Sequence, residues 1–313
     1  MKRSRLVQPL TISFVLLVAL VAVFTLGNPS FLSQYNVTSV LNAVTILLAV
    51  GLGQVCVILT GGIDLSVGSI MSLVSVVLMM TVGRLGPGAY PVVALIGLLS
   101  GLLNGLIVSK LKIPSFIATL GTQGVLVSVA YLLSPGPLTA AENLYGVLDF
   151  VNGHVGPIQA TWIISAGMLA IYYLMQRFTP LGRQIIYIGA NERMSWLAGL
   201  DIDRARILAF AFSGFGAAVA GMVLSATLYS GYPTMGLPYV LNSIAVVVVG
   251  GTAMTGGAGG VVNTVVGALI MGVIQNGLTV IGVDAYGQQV FLGILVIIAV
   301  ALTFDRAKVA IIK

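Results

Sequence analysis

Long apolar runs separated by short polar interruptions set the pattern of this chain. Ten runs read as helices able to cross a bilayer, at about 10–27, 37–59, 64–82, 90–109, 114–133, 160–176, 206–228, 239–255, 260–281 and 287–304, since roughly 20 apolar residues span the hydrocarbon. The eighth is the poorest, because its apolar core Tyr239–Val249 is short and Gly250-Gly251 interrupts it. One interruption is unlike a plain connecting turn. Gly61-Gly62-Ile63-Asp64-Leu65-Ser66-Val67-Gly68-Ser69 sets a glycine pair and a carboxylate between two long apolar runs. Backbone freed from a helix inside hydrocarbon needs protein or a water-filled path around it. Two readings of this break stand: a cytoplasmic turn in which Asp64 caps the next helix, or a discontinuous helix beside a substrate path.

Composition agrees with the pattern. At 58% hydrophobic and 7% charged residues, with a mean hydropathy of +1.10, the 313 residues describe an all-α, polytopic helical membrane protein and exclude a soluble domain. The net charge of +6 does not point to nucleic acid, because the basic residues lie between apolar runs and form no continuous face. With the amino terminus cytoplasmic, 13 of the 14 basic residues fall on the cytoplasmic side: Lys2, Arg3, Arg5, Lys110, Lys112, Arg177, Arg183, Arg193, Arg204, Arg206, Arg306, Lys308 and Lys313. Only Arg84 falls outside. That parity requires the eighth run to count, and it puts both termini in the cytoplasm. Lys2, Arg3 and Arg5 ahead of residues 10–26 look like a signal peptide, but the apolar stretch is too long and lacks a small-residue cleavage site, so it reads as a retained first helix.

Candidate chemistry is sparse. Cys56 is the single cysteine and His154 the single histidine, far apart and without an acid cluster, so neither a disulfide, a metal site nor a nucleophile with its base is expected. No cofactor motif and no Gly-x-x-x-x-Gly-Lys-Ser/Thr phosphate loop occurs, so the chain is no ATPase by itself. Polar residues within or at the ends of the runs are the candidates for a solute path or gate: Gln54, Gly61, Gly62, Asp64, Ser66, Asn104, Asn242 and Asn276. Each also serves as a plausible tie between helices.

The halves echo one another. Residues 57–62, Ser66 and Gly68 recur 189 residues on as residues 246–251, Thr255 and Gly257; Asn104-Gly105-Leu106 and Leu120-Gly121 recur 172 residues on as Asn276-Gly277-Leu278 and Leu292-Gly293. Internal repeats are the expectation, parallel or inverted. Small residues at helical spacing, Gly97, Gly101 and Gly105 in one run and Gly214, Ala217, Ala218 and Gly221 in another, signal close helix packing.

Residues 177–206 are too polar to enter the membrane and too few for an enzyme domain. Thr179-Pro180-Leu181-Gly182-Arg183 reads as a turn. Asn191 as N-cap, Glu192 in the first turn and Gly199 at the end describe a short helix that is marginal alone and suited to docking on a partner. Met194, Trp196 and Leu197 would supply apolar contact and Arg193 an ionic one. The alternative is a loop lying on the bilayer surface with Trp196 among the lipid headgroups.

Over essentially its whole length the chain resembles the integral-membrane permease of ribose-type ABC sugar importers. The resemblance rests on residues 61–69, on 101–121 with Asn104-Gly105 and Lys112-Ile113-Pro114-Ser115-Phe116-Ile117-Ala118-Thr119-Leu120-Gly121, on 179–199, and on Val247-Val248-Val249-Gly250-Gly251-Thr252. Gly189-Ala190-Asn191 departs mildly from the family's more usual Gly-Gly-Asn. The resemblance implies one permease domain over 1–313, about ten helices similar to the vitamin B12 importer class, and a place in a bacterial inner membrane. It implies as partners a second permease copy, identical or paralogous, a periplasmic sugar-binding protein and an ABC ATPase subunit, with Asn191 to Gly199 as the ATPase coupling helix. A monosaccharide of the ribose, pentose or hexose class would cross by alternating access. The runner-up is a proton-coupled secondary carrier with Asp64 as its proton site; a membrane-embedded enzyme lacks any paired catalytic groups.

Overall fold

The computed structural model describes residues 4–303; Lys2, Arg3, Arg306, Lys308 and Lys313, and residue 304 of the last expected run, lie outside the described residues. Thirteen α-helices follow one another among the described residues: α1 (Ser4–Gly27), α2 (Gln34–Leu59), α3 (Val67–Leu85), α4 (Ala89–Lys110), α5 (Ser115–Leu133), α6 (Tyr145–Asn152), α7 (Ala160–Phe178), α8 (Pro180–Ala190), α9 (Glu192–Leu197), α10 (Ile202–Leu228), α11 (Tyr239–Val249), α12 (Val261–Val280) and α13 (Ala285–Thr303). Two antiparallel ladders of two residues per strand add β1 (Leu138–Thr139) to β4 (Ser230–Gly231) and β2 (His154–Val155) to β3 (Ile158–Gln159). Six stretches among the described residues are long and apolar enough to cross a membrane: Leu10–Gly27, Gln34–Leu59, Val67–Lys110, Ser115–Leu133, Ile202–Leu228 and Val261–Val280. The third holds both α3 and α4, parted at the 3-10 turn Gly86–Gly88. The chain is an all-α polytopic membrane protein.

Helices occupy all ten expected runs, with three corrections. The run at 239–255 is helical only over the 11 residues of α11, about 16 Å of rise and half the hydrocarbon thickness. Residues 250–260 leave the helix because Gly251, Gly256, Gly257, Gly259 and Gly260 take φ values from +75° to +143°, a region open to glycine. The run at 64–82 starts its helix later, at Val67, and carries it to Leu85. Residues 179–183 are no turn but the start of α8. The Thr179 hydroxyl accepts the Gly182 N–H at 3.2 Å and Pro180 occupies the first helical position, the same chemistry that starts either structure.

α2 and α10 form the centre. Every residue from 44 to 60 is buried, and α10 lies close enough to α2 that Gly216 faces the Ala49 carbonyl and Gly53. Against α4, Gly97 meets Ala218 and Gly214, Gly101 meets the Phe210 carbonyl and Gly214, and Gly105 meets Ile207. These are the small residues the spacing singled out, and the falling register shows α4 antiparallel to α10. Along α3, Met71 meets Gly221 and Ser75 meets Gly231, so α3 runs parallel to α10. On the other flank Gly51 meets Thr264 and Val44 meets Gly272, placing α12 antiparallel to α2; Val246 also meets Gly51.

These senses sort the sequence echoes. α2 and α11 run the same way, with Val246 level with Gly51, and the loop that follows α11 reaches the end of α2, where the Gly257 N–H donates to the Leu59 carbonyl at 3.0 Å. The first echo therefore falls on helices of the same sense, with the loop after α11 touching the end of α2. The second falls on helices of opposite sense, because α3 intervenes before α4 while α12 follows its break directly, so the two echoes do not share one repeat relation. Their shared glycines answer separate packing needs, Gly105 against the Ile207 backbone and Gly277 against the Phe24 ring.

Charge collects at one end. Lys110 and Lys112 reach Asp203 at 3.0 and 2.8 Å, and Arg206 reaches Glu192 at 2.8 Å. The opposite end carries the ladders, α6 and a cluster in which the Tyr229 hydroxyl donates to Asp149 at 2.6 Å with the Tyr145 ring 4.5 Å away. Gly101→Leu should lower the thermal unfolding midpoint in detergent, since forcing side-chain atoms between touching backbones costs about 1–3 kcal/mol. Gly124→Leu, at a position with open space around it, should not lower it.

Candidate functional site

The link between α2 and α3 is an extended segment that turns back into the bundle. Thr60 ends α2 with its hydroxyl on the Val57 carbonyl at 2.7 Å, and Gly61, at φ +82°, reverses the chain. The Gly61 and Gly62 N–H groups still find the Ile58 and Val57 carbonyls, at 2.9 and 3.2 Å. Beyond them the helix ladder is gone and side chains replace it. Ile63 N–H donates to Ser115 Oγ and Leu65 N–H to Thr119 Oγ1, both at 3.0 Å and both from the first turns of α5. Between these two, Gln54 on α2 brackets Asp64: with its side-chain amide assigned in the orientation that satisfies both groups, it donates to the Asp64 carbonyl at 3.1 Å and accepts the Asp64 N–H at 3.3 Å. An unpaired buried peptide group costs about 1–3 kcal/mol, so this substitution of side chains for ladder lets non-helical backbone persist within the bundle.

The Asp64 carboxylate closes the segment. It is fully buried. One oxygen accepts the Ser66 N–H at 2.9 Å and the Ser66 hydroxyl at 2.6 Å, and the other accepts the Ser213 hydroxyl of α10 at 2.7 Å. Asn104 of α4 donates to the Ser66 Oγ at 2.7 Å. No basic side chain among the described residues pairs with the Asp64 side chain; two hydroxyls and one amide bond it, as a buried polar group requires. The bond from Asp64 to the Ser66 N–H is the local one an aspartate makes two residues on. Asp64 therefore caps the turn into α3 and also sits deep in the bundle.

The structure brings Gln54, Asp64, Ser66 and Asn104 together, and leaves Asn104 Oδ1 buried without a protein partner. Asn242 is buried on α11 and Asn276 half-buried on α12 with its Oδ1 unpaired, so neither joins this group. Gly61 and Gly62 face a cavity of about 440 Å³ that also touches Ser115, Phe116, Phe210 and Lys112. The Asp64 side chain does not line that cavity. Sequence reasoning missed Ser115, Thr119 and Ser213 as acceptors and donors for the break.

At the basic end stands the second feature. Asn191 caps α9 by accepting the Met194 N–H at 3.0 Å, and Gly199 follows the helix at φ +78°. Met194, Trp196 and Leu197 are 60%, 67% and 62% exposed, an apolar face with no intrachain cover. Arg193 is exposed beside them, and Glu192 is tied to Arg206. A hollow of about 690 Å³ borders Arg193, Trp196 and Asp203.

The chain is similar to known proteins along most of its length. Residues 36–300 match the family described as branched-chain amino acid transport system, permease component. The ribose import permease protein of Bacillus subtilis (strain 168) is 38% identical over 303 residues, 95% of this chain and 92% of the relative. That of Escherichia coli (strain K12) is 34% identical over 92% of this chain and 91% of the relative. The fructose import permease protein of Rhizobium meliloti is 34% identical over 95% and 85% respectively. No solved structure matches. Ser115→Ala and Thr119→Val each orphan one amide of the break and should destabilise the fold by about 1–3 kcal/mol in denaturant unfolding. Ser128→Ala, exposed on the same helix with its hydroxyl on the Gly124 carbonyl, should change it by less than about 0.5 kcal/mol.

Proposed function

This chain belongs to the permease-component family and, within it, to the sugar import permeases of ATP-binding cassette systems, and from that premise we propose how it works. It is the transmembrane subunit of an importer that takes a monosaccharide of the ribose, pentose or hexose class from a periplasmic binding protein and releases it in the cytoplasm by alternating access. Identity to ribose import permeases along nearly the whole chain carries this reading. Two permease copies form the pathway, each with ten crossings in an arrangement similar to the vitamin B12 importer class, within a bacterial inner membrane. The clustering of Lys110, Lys112 and Arg206 at one end supports that end, and both termini with it, as cytoplasmic.

A separate ATPase subunit supplies the work through α9. Its exposed Met194, Trp196 and Leu197, flanked by Arg193, offer the aromatic and arginine anchors typical of energetic interface residues, while Asn191, Glu192 and Gly199 hold the helix in shape. A neutral sugar needs hydrogen-bonding surface along its path, which need not be charged. Gly61 and Gly62 border the cavity and are assigned to the path at its cytoplasmic end; Asn242 and Asn276 are further path candidates. Gln54, Asp64, Ser66 and Asn104 are assigned to the gate, as the group that sets where the chain turns between α2 and α3.

Reconstitution with the binding protein and ATPase encoded beside this chain tests the reading. Uptake should require ATP hydrolysis and persist when a protonophore collapses the proton gradient. Uptake that stops with the protonophore while ATP remains would favour a proton-coupled carrier. Trp196→Ala, removing an interface anchor worth about 2 kcal/mol, should weaken ATPase binding about thirtyfold in co-purification, and Arg193→Glu should weaken it further.

A further inference from the structure

The segment that carries α9 grips both non-helical breaks at two points. At the end of α7, Gln176 Oε1 accepts the N–H of Val261, the first residue of α12, at 2.8 Å, and its Nε2 points to the Gly259 carbonyl at 3.5 Å. At the end of α8, Gly189 presses on the other side of the same loop. A methyl there would run into the Leu59 carbonyl oxygen and stand 2.6 Å from Gly257 N and 3.0 Å from Gly256 Cα. The Leu59 carbonyl is the group that accepts the Gly257 N–H at 3.0 Å and so joins the end of α2 to the loop after α11.

No slack separates these points from the docking helix. The Asn191 N–H closes α8 onto the Tyr187 carbonyl at 3.0 Å while the Asn191 side chain starts α9. Ile185 and Ile188 are 1% and 2% exposed, and Gly182 lies against the backbone of Met175 and Gln176. α8 is thus packed along its length, with α9 rigidly continued from one end and Gln176 fixed at the other. Closely packed elements pass displacement on because they do not deform continuously.

We propose that Gln176 and Gly189 are positioning residues that deliver displacement of α9 to the junction of the two breaks, so that the α2–α3 turn and the start of α12 move together. This rests on the ATPase-driven reading above. The contact at Gly189 is backbone to backbone, which makes it a transmitter with no give. Gln176 supplies the second point and keeps the α12 terminus from lagging behind.

The test measures ATP hydrolysed per sugar imported by the reconstituted complex. Gln176→Ala and Gly189→Ala should each keep ATPase co-purification and ATP hydrolysis, yet raise that ratio about tenfold, the size of an ordinary coupling energy. Gln176→Glu, which keeps an acceptor for the Val261 N–H, should return the ratio toward that of the unaltered chain. Gly167→Ala, on α7 with open space around it, should leave the ratio unchanged. Hydrolysis and import falling in proportion in Gln176→Ala, or a ratio that does not move, overturns the proposal. Should Gly189→Ala fail to assemble, the two Gln176 variants decide. Import by the unaltered complex without ATP hydrolysis would instead overturn the ATPase-driven reading on which the proposal stands.

Discussion

Hydrogen-bond satisfaction of a few non-helical residues governs this molecule. Between Gly62 and Val67 the chain leaves the helix ladder inside a largely apolar bundle, and each amide from Ile63 to Ser66 is taken by a side chain: Ser115, Gln54, Thr119 and Asp64. Four elements are pinned by this. α2 must present Gln54, α5 must bring its first turns alongside, α10 must offer Ser213, and α4 must offer Asn104. The glycine contacts between α10 and its neighbours permit the close approach that these short polar side chains need. In hydrocarbon there is no water to take over a lost bond, so the polar cluster and the glycine packing stand or fall together.

The same constraint separates holding from passage. Asp64 is the most conspicuous polar residue in the apolar runs, yet both of its oxygens are occupied by hydroxyls and an amide, and its side chain stays out of the neighbouring cavity. It ties the turn ahead of α3 to Ser66 and to Ser213 of α10. The space beside it is bordered by glycine backbone and by Ser115 and Phe116, with the basic Lys112 and Arg206 also on its lining. The exposed apolar face of α9 does not border this space; it follows α8, whose Gly189 touches the end of α2. α8 joins the two.

Much of this was legible from residue order. Run lengths located the helices, the spacing of Gly97, Gly101 and Gly105 foretold a close helix crossing without naming its partner α10, and Asn191, Glu192 and Gly199 described α9 correctly because capping is a local signal. What escaped has physical reasons. Thr179-Pro180 starts a turn and a helix with the same bonds, so α8 passed for a turn. Ser115, Thr119, Ser213 and Gln176 carry no spacing signal, since a hydroxyl on an apolar helix bonds its own preceding turn unless a distant strand of backbone comes within reach. The Asn-Gly echo did not fix helix direction, because a close helix crossing asks for glycine in either sense. The half-length α11 was foreshadowed by Gly250-Gly251, but charge parity argued for counting it as a full run.

Amide hydrogen exchange across residues 62–66 of the purified chain tests the central claim most directly. The account predicts protection at Ile63, Asp64 and Leu65 comparable to that in the middle of α2 and α10, although none of the three is helical. Exchange there as fast as at the exposed Gly156 turn would contradict it, because the segment would then be an ordinary solvated loop and the side chains around it would hold nothing in place.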